Sequence, residues 1–414
     1  MSRITLYNPL TDYDSITHVS RPPLGLIAIA DACARHDITA ITVIDDDIGR
    51  SDENWIERIV ATDPDVVGIT TWLGGFPDLN ALRRALSQKT MLVAGGPLVS
   101  VTPEYHLASG ADVAVVGNGT TIFPQLVKEH ANGRPAKGKV LSPPTIGIIR
   151  FEQGYQFFPM EEYVSHWGSK RGFIVMTSFG CPFACQFCAR DYLSEWQPRN
   201  SAHVAEEVAA LVAQYGVDDL FIGDATFTGK QDHFQKMAGL LQRAGVAYFC
   251  MTRADCLDRE RVKCLAGSGC RMVMLGLESA SSSIAESLRG GKNGEKVLRA
   301  KALLEKAKIE VNVFVLFGLP GETETSLTET LTFVKKHKLK VSPNVLFPIP
   351  GTPIWDIATK KGVLPALGTY LERLNEYNRQ NREYVSVPGI CEASEEAIKS
   401  AVREIWRHNA ALEK

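Results

Sequence analysis

The chain alternates short β-branched runs with helical patterns, twice over, and this alternation leaves few folds open. In the first series RITLYN (Arg3–Asn8), AITVID (Ala40–Asp45), DVVGITT (Asp65–Thr71), TMLVAGG (Thr90–Gly96) and DVAVVG (Asp112–Gly117) are separated by helix-like stretches such as Leu24–His36 and Leu79–Gln88. Strands bridged by helices pair side by side in a parallel sheet, so the fold class is α/β. The helical IFPQLVKEH then gives way to ANGRPAKGKVLSPP, a Pro-, Gly- and Lys-rich passage that breaks both periodicities and reads as a linker. A second series follows: GFIVMTS, DLFIGD, AYFCMTR, MVMLGLE, VNVFVLFGLP and SPNVLFPIP, with helices such as Ala202–Tyr215 and Gly294–Ala307 between them. Six strand–helix units build a partial or full barrel. A chain of 414 residues exceeds one ordinary core. The expected division is a sheet domain at 1–140, a linker at 141–170, a partial (β/α)6 barrel at 171–355 and a short helical carboxy-terminal segment at 356–414. In that last segment Ile398, Val402, Ile405 and Trp406 share one helical face behind a Ser394 cap, a packing stripe.

Composition serves mainly to exclude. With 45% hydrophobic and 22% charged residues and a net charge of -2, the chain reads as globular, without bulk attraction to nucleic acid or lipid headgroups. No apolar run approaches the roughly 18 residues of a membrane span, and MSRITLYNPL lacks the regions of a secretory signal, so a cytoplasmic location is expected. Nine cysteines in such a chain fit thiolates and metals in a reducing compartment better than a disulfide framework.

Three of them, Cys181, Cys185 and Cys188, sit in TSFGCPFACQFCARD directly after the first strand of the second series. In a parallel barrel the loops after the strands form the active face. A cubane iron–sulfur cluster takes four ligands, so three thiolates leave one iron open to another molecule. A structural zinc site, which needs a fourth Cys or His, and three ordinary buried thiols are the plainer alternatives. Cys250, Cys256, Cys264 and Cys270 follow no ligand spacing, and burial as small hydrophobes is the expectation for them.

CPFACQFC, with Phe187 before the third cysteine, resembles the Cys-x-x-x-Cys-x-x-Cys signature of the radical S-adenosylmethionine superfamily. Later strand ends match in order. IGDATFTG resembles the motif that holds the methionine amino group, with Gly223 and Asp224 in the matching places and Ala225 and Thr226 beside them. MTRAD places Arg253 and Asp255 at the third strand end, GLES places Glu278 and Ser279 at the fourth, GLPGET carries Leu319 and Pro320 at the fifth, and FPIPGTP resembles the sixth. The resemblance spans roughly Gly172–Pro353 and rests on joint occurrence in order. It implies a [4Fe-4S] cluster on Cys181, Cys185 and Cys188, and S-adenosylmethionine held by Phe187, Gly223, Asp224, Ala225, Thr226, Arg253, Glu278, Ser279, Leu319 and Pro320. An electron from the reduced cluster would then cleave the sulfonium to methionine and a 5′-deoxyadenosyl radical. For Glu278 a strand-end charge, solvated or paired with Arg253, is the plainer reading, and for GLPG a tight turn.

The amino-terminal series resembles the Rossmann-like cobalamin-binding domain fused to one branch of that superfamily. The matching residues are Asn8, Pro9 and Leu10 after the first strand, Leu24 and Gly25 opening the first helix, and Thr70, Thr71, Trp72 and Leu73 at the third strand end. Gly95, Gly96 and Pro97 follow the fourth strand, and Gly117, Asn118 and Gly119 the fifth. Glycines there let the backbone approach a bulky planar ligand. Where the family has a Gly-Glu-Gly-Glu run, this chain has Gly117, Asn118, Gly119 and Thr120. The Asp-x-His-x-x-Gly motif that supplies a histidine to cobalt elsewhere is absent, and His18 and His36 fit no such pattern. The resemblance places Trp72 under the lower face of cobalamin, with an indole packed beneath the sheet edge as the plain alternative.

Together these resemblances imply a cobalamin-dependent radical S-adenosylmethionine methyltransferase. It would move a methyl group to an unactivated carbon of a small molecule, of natural-product type among others, and draw electrons from a donor such as flavodoxin or ferredoxin. A radical rearrangement, ring contraction or cyclisation without methyl transfer is the alternative. A methylthiotransferase would carry amino-terminal cluster cysteines, and Cys33 stands alone; a non-catalytic cobalamin or iron–sulfur sensor would not cleave S-adenosylmethionine. No nucleic acid or membrane partner is expected. Tyr370, Tyr377 and Tyr384 recur every seven residues in TYLERLNEYNRQNREY, a helical face for core packing in a segment expected to line the substrate opening.

Overall fold

The computed structural model describes residues 2–10, 22–48, 54–143, 148–165, 170–188, 195–289, 293–379 and 387–413. His18 and Tyr384 lie outside them, as does the side chain of Tyr377. The chain divides into two compact units, Met1–Arg171 with Ala210–Gly216 and Leu371–Arg379, and Gly172–Ala209 with Val217–Tyr370 and Gln380–Lys414.

In the first unit β1 (Ile4–Asn8), β2 (Ile41–Asp45), β3 (Val66–Thr70), β4 (Met91–Gly95), β5 (Val113–Val115) and β6 (Lys139–Leu141) form one parallel sheet in the order β2-β1-β3-β4-β5-β6. The central strands β1 and β3 are buried at every residue, as both faces of a helix-covered sheet require, while β2 at the edge is only partly buried. Chain order reverses between β1 and β3, and at such a switch point the strand ends diverge into a crevice that accepts ligands.

The passage read as a linker departs from expectation. Lys139–Leu141 adds a sixth strand, and Phe151, Tyr155, Phe158, Met160, Tyr163 and Val164 are buried. Gly154 lies so close to helix Leu24–Ala34 that a Cβ would meet the Ile27 carbonyl at 2.2 Å. Tyr163 OH donates to Asp45 at the end of β2. A three-residue strand among Lys and Gly has no periodicity to read, with Val140 41% exposed at the sheet edge.

The second unit contains a parallel sheet of β7 (Gly172–Val175), β10 (Asp219–Ile222), β11 (Ala247–Thr252), β12 (Cys270–Glu278), β13 (Glu310–Phe317) and β14 (Val341–Val345), in the order β14-β13-β12-β11-β10-β7. A short antiparallel pair, β8 (Ser178–Phe179) with β9 (Gln197–Pro198), closes the base of the cysteine loop. Helix boundaries follow local chemistry. Thr323 and Ser326 make a reciprocal capping box before Glu324–Lys336, Asp258 caps Arg259–Gly267, and Gly245 ends Gln231–Ala244 with φ 68°. Ser394 caps Glu395–Leu412 by accepting from Ala397 N, and Ile398, Val402 and Ile405 are buried. Trp406 departs from that stripe: it lies at its edge and is 38% exposed.

Candidate active site

Every motif of the second series lies just beyond the end of a strand. The cysteine loop leaves β7, and Cys181, Cys185 and Cys188 are all partly exposed. Cys188 N donates to Cys185 O at 3.2 Å, closing a turn between the last two cysteines. Three strand ends meet this loop, those of β10, β11 and β13. Thr226, after β10, places its hydroxyl 3.7 Å from Cys181 Sγ. Arg253, after β11, donates from Nη1 to Cys185 Sγ at 3.5 Å and stacks over Phe183 at 4.2 Å. Phe187 packs against the buried apolar cluster of Ile284, Leu319, Leu346, Ile354, Ala358 and Ile390, so the loop also reaches the GLPG turn after β13.

Thiolates on one loop, with an arginine and a hydroxyl facing them, suit a cluster bound through separate irons. Among the described residues no three His, Cys, Asp or Glu side chains are grouped to hold a single ion, the arrangement a zinc site uses. Cys250 and Cys270 are buried in the sheet, while Cys256 and Cys264 are half-buried. Burial pushes the Cys256 thiol up to about 11.

Asp224 departs from expectation. It is buried, and its Oδ1 accepts from Thr177 N at 2.6 Å while Oδ2 accepts from the Thr177 and Ser178 hydroxyls, each at 2.6 Å. The Ser178 amide also bonds to it. A carboxylate has about four acceptor positions, and all are engaged by the start of the cysteine loop, leaving none for a methionine ammonium. Burial raises its pKa against these donors. Spacing located the carboxylate but did not show its partners. The missed residues are Thr177 and Ser178, whose only signal was a pair of hydroxyls entering the loop.

Glu278 differs. It ends β12 with φ 62° at an irregularity in the β12–β13 register, and it is buried. A left-handed backbone at a non-glycine residue is uncommon and clusters at functional sites. The expected partner Arg253 is instead held by Asp255, with Nε and Nη2 donating to its two carboxylate oxygens at 2.8 and 2.6 Å. Ser279 is turned inward, its hydroxyl 3.2 Å from Thr330 Oγ1. Gly223 packs where a Cβ would meet Met176 Sδ at 2.6 Å, and Ala225 O accepts from Thr226 Oγ1. Pro320 is half-buried beside wholly buried Leu319.

In the first unit, Cβ atoms built on Gly25, Gly95 and Gly117 would meet nothing within 4 Å among the described residues, so there the first helix and the ends of β4 and β5 present open backbone. After β5, Asn118 Nδ2 and Thr120 Oγ1 are buried without a hydrogen-bond partner among the described residues. Open glycines with orphaned polar atoms beside them fit a large ligand carrying amide groups. Gly96 is different: its φ is 99° and a Cβ there would meet Thr70 Oγ1 at 2.6 Å, while a Cβ on Gly119 would meet Ile29 at 3.1 Å. Asn8 donates to Asp45 Oδ1 at 2.8 Å, Pro9 is buried, and Leu10, Leu24, Leu73 and Pro97 are half-buried.

Trp72 is 44% exposed, so it is not packed beneath the sheet edge. Its loop is fastened elsewhere. Buried His106 lies with Nε2 2.9 Å from Thr71 Oγ1 and Nδ1 2.8 Å from Thr102 O, which assigns the Nδ1–H tautomer and makes Nε2 the acceptor. Phe76 packs on Tyr105 and His106, and Asn375 grips its backbone at both N and O. Neither His106 nor Asn375 carried a signal in the sequence. His36 is exposed. Tyr370 is buried and donates to Pro348 O at 2.7 Å.

Comparison with known proteins follows the same division. Residues 175–334 match the radical SAM superfamily, and residues 19–127 match the B12 binding domain. A Pyrococcus horikoshii protein named an uncharacterized methyltransferase is 28% identical over 370 residues, covering 83% of this chain and 80% of that one. The structure of TsrM from Kitasatospora setae, a radical S-adenosylmethionine methyltransferase with cobalamin and a [4Fe-4S] cluster bound, superposes with a TM-score of 0.70 at 18% identity. It covers 99% of this chain and 100% of that one. A second structure of it, with tryptophan substrate and a SAM analog, gives a TM-score of 0.71 at 19% identity over 99% and 89%. These two likenesses establish a shared fold. Among the described residues no helix is long and apolar enough to cross a membrane.

Proposed function

We propose that this chain, which belongs to the radical SAM superfamily and carries a B12 binding domain ahead of its barrel, is a cobalamin-dependent methyltransferase acting on a carbon of a small molecule. The observation that carries this reading is the gathering of the Cys181–Cys188 loop with Thr226, Arg253 and the Leu319 cluster at the ends of β10, β11 and β13. When bound, the cluster and S-adenosylmethionine supply a carbon-centred radical, and cobalamin supplies the methyl group. This chain's residues hold and orient. Cys181, Cys185 and Cys188 ligate three irons, and Glu278 accepts hydrogen bonds from the amino acid or ribose portion of S-adenosylmethionine. Phe187 and Leu319 give its adenine an apolar wall, and Asp224 shapes the loop instead of touching the ligand.

In the first unit Gly25, Gly95 and Gly117 would leave room for cobalamin, Asn118 and Thr120 would meet its polar groups, and Trp72 would lie against it. The substrate would be a small molecule, as tryptophan is for TsrM, and an external donor such as flavodoxin or ferredoxin would supply the electron in the cytoplasm.

The test is anaerobic reconstitution with iron, sulfide and cobalamin, followed by reduction with S-adenosylmethionine present. Retention of both cofactors and release of 5′-deoxyadenosine are expected. A chain that binds both and leaves S-adenosylmethionine intact would be a sensor.

A further inference from the structure

We propose that His233 is a positioning residue that fastens the two ends of the cysteine loop, acting through Thr177 and Asp224. The proposal rests on the reading of that loop as the cluster loop. The outgoing end is Thr177–Ser178 and the returning end is Trp196–Arg199, and one buried network joins them.

Thr177 Oγ1–H donates to Asp224 Oδ2 at 2.6 Å. That hydroxyl has a single proton, so its oxygen is left as the acceptor for His233 Nε2, 2.9 Å away. The arrangement therefore runs from His233 Nε2–H to Thr177 Oγ1–H to Asp224 and assigns the histidine tautomer. Thr177 is fully buried, which keeps water from replacing either partner. On its other side the His233 ring meets Trp196 edge to face, with centroids 5.4 Å apart. The returning end is tied back as well. Arg199 N donates to Thr177 O at 2.9 Å, and Arg199 Nη1 donates to Met176 O and Glu207 Oε2, each at 2.6 Å.

His233 thus touches both arms of the loop from the first turn of helix Gln231–Ala244, bonding to the outgoing arm and packing on the returning arm. An apolar side chain of similar size would fill the same space and leave the Thr177 oxygen without its donor. This separates a hydrogen-bonding role from simple helix packing.

Two variant pairs test it. His233→Ala removes ring and donor while His233→Gln keeps an amide donor; Thr177→Val removes the hydroxyl while Thr177→Ser keeps it. Hydrogen exchange of the Thr177–Ser178 peptide, read by mass spectrometry on the iron-free chain, and release of iron to a chelator from the reconstituted protein are measured together. His233→Ala and Thr177→Val are expected to speed both by roughly tenfold, with the Gln and Ser variants within about twofold of wild type. Wild-type rates in His233→Ala, or a Gln variant as fast as Ala, would overturn the proposal, and should His233→Ala not fold, the Thr177 pair decides by the same criterion. A wild type that takes up no iron would overturn the cluster reading, and the exchange rates would then judge the clamp by itself.

Discussion

Arg253 holds a guanidinium nitrogen 3.5 Å from Cys185 Sγ while both oxygens of Asp255 fix the other face of the same group. A positive charge and a hydrogen bond at a cluster sulfur favour the reduced state. Arg253→Gln should therefore lower the midpoint potential of the cluster by on the order of tens of millivolts, read by paramagnetic resonance during a redox titration. Arg253→Lys should recover part of the shift, because a point charge cannot reproduce the fork held by Asp255. Identical potentials would confine Arg253 to its pairing with Asp255.

The nine cysteines should separate by position. Alanine at Cys181, Cys185 or Cys188 should remove most of the iron bound after anaerobic reconstitution and abolish 5′-deoxyadenosine formation. Alanine at Cys250, which is wholly buried in β11, should leave iron content intact and cost about 1 kcal/mol of stability. Full iron in Cys185→Ala would contradict the assignment.

Glu322 carries a pH dependence. It is wholly buried, accepts from Gly318 N at 2.6 Å and Leu319 N at 3.3 Å, and leaves Oε1 without a hydrogen-bond partner among the described residues. Burial pushes its carboxyl up to about 7 from 4.5. The folded chain therefore binds the proton more tightly than the unfolded one. The resulting stabilisation is complete below the unfolded value and is lost as pH rises through the folded one. Glu322→Gln should gain on wild type by up to about 3 kcal/mol between pH ~5 and pH ~8 in denaturant titrations. Shifts at other groups, such as Asp45 pushed up to about 6, are common to both chains and cancel in the difference. Parallel pH profiles would place the proton elsewhere.

Trp72 stands exposed on a loop pinned by His106 and Asn375, so removing the indole should leave folding nearly unchanged. Trp offers no lone pair to a metal. Bound cob(II)alamin should show no nitrogen hyperfine splitting from a protein ligand, and Trp72→Ala should alter its spectrum. Clear axial nitrogen splitting in wild type would refute an open lower face, and an unchanged spectrum in the variant would remove Trp72 from the site.

The strands were legible because β1 and β3 are short runs rich in β-branched residues set between helical patterns, and each motif after β7, β10, β11, β12 and β13 sits where periodicity stops. β6 was not, since three residues among Lys and Gly show no period. Asp224 illustrates the deeper limit. Its place at a strand end follows from spacing, but its donors Thr177 and Ser178 lie more than forty residues earlier, and only folding shows that they saturate it. His233 reaches Thr177, His106 reaches Thr71 and Asn375 reaches Phe76, each far along the chain, so no local pattern marks these pairings.

The central claim is methyl transfer, and isotope labelling tests it most directly. The reconstituted, reduced protein is incubated anaerobically with methyl-deuterated S-adenosylmethionine and a small-molecule extract, and the products are analysed by mass spectrometry. The account predicts a product heavier than its precursor by one deuterated methyl group in place of a hydrogen, formed with 5′-deoxyadenosine and lost in Cys185→Ala. Formation of 5′-deoxyadenosine with products that carry no deuterium from the methyl group would contradict it and identify a radical rearrangement or cyclisation instead.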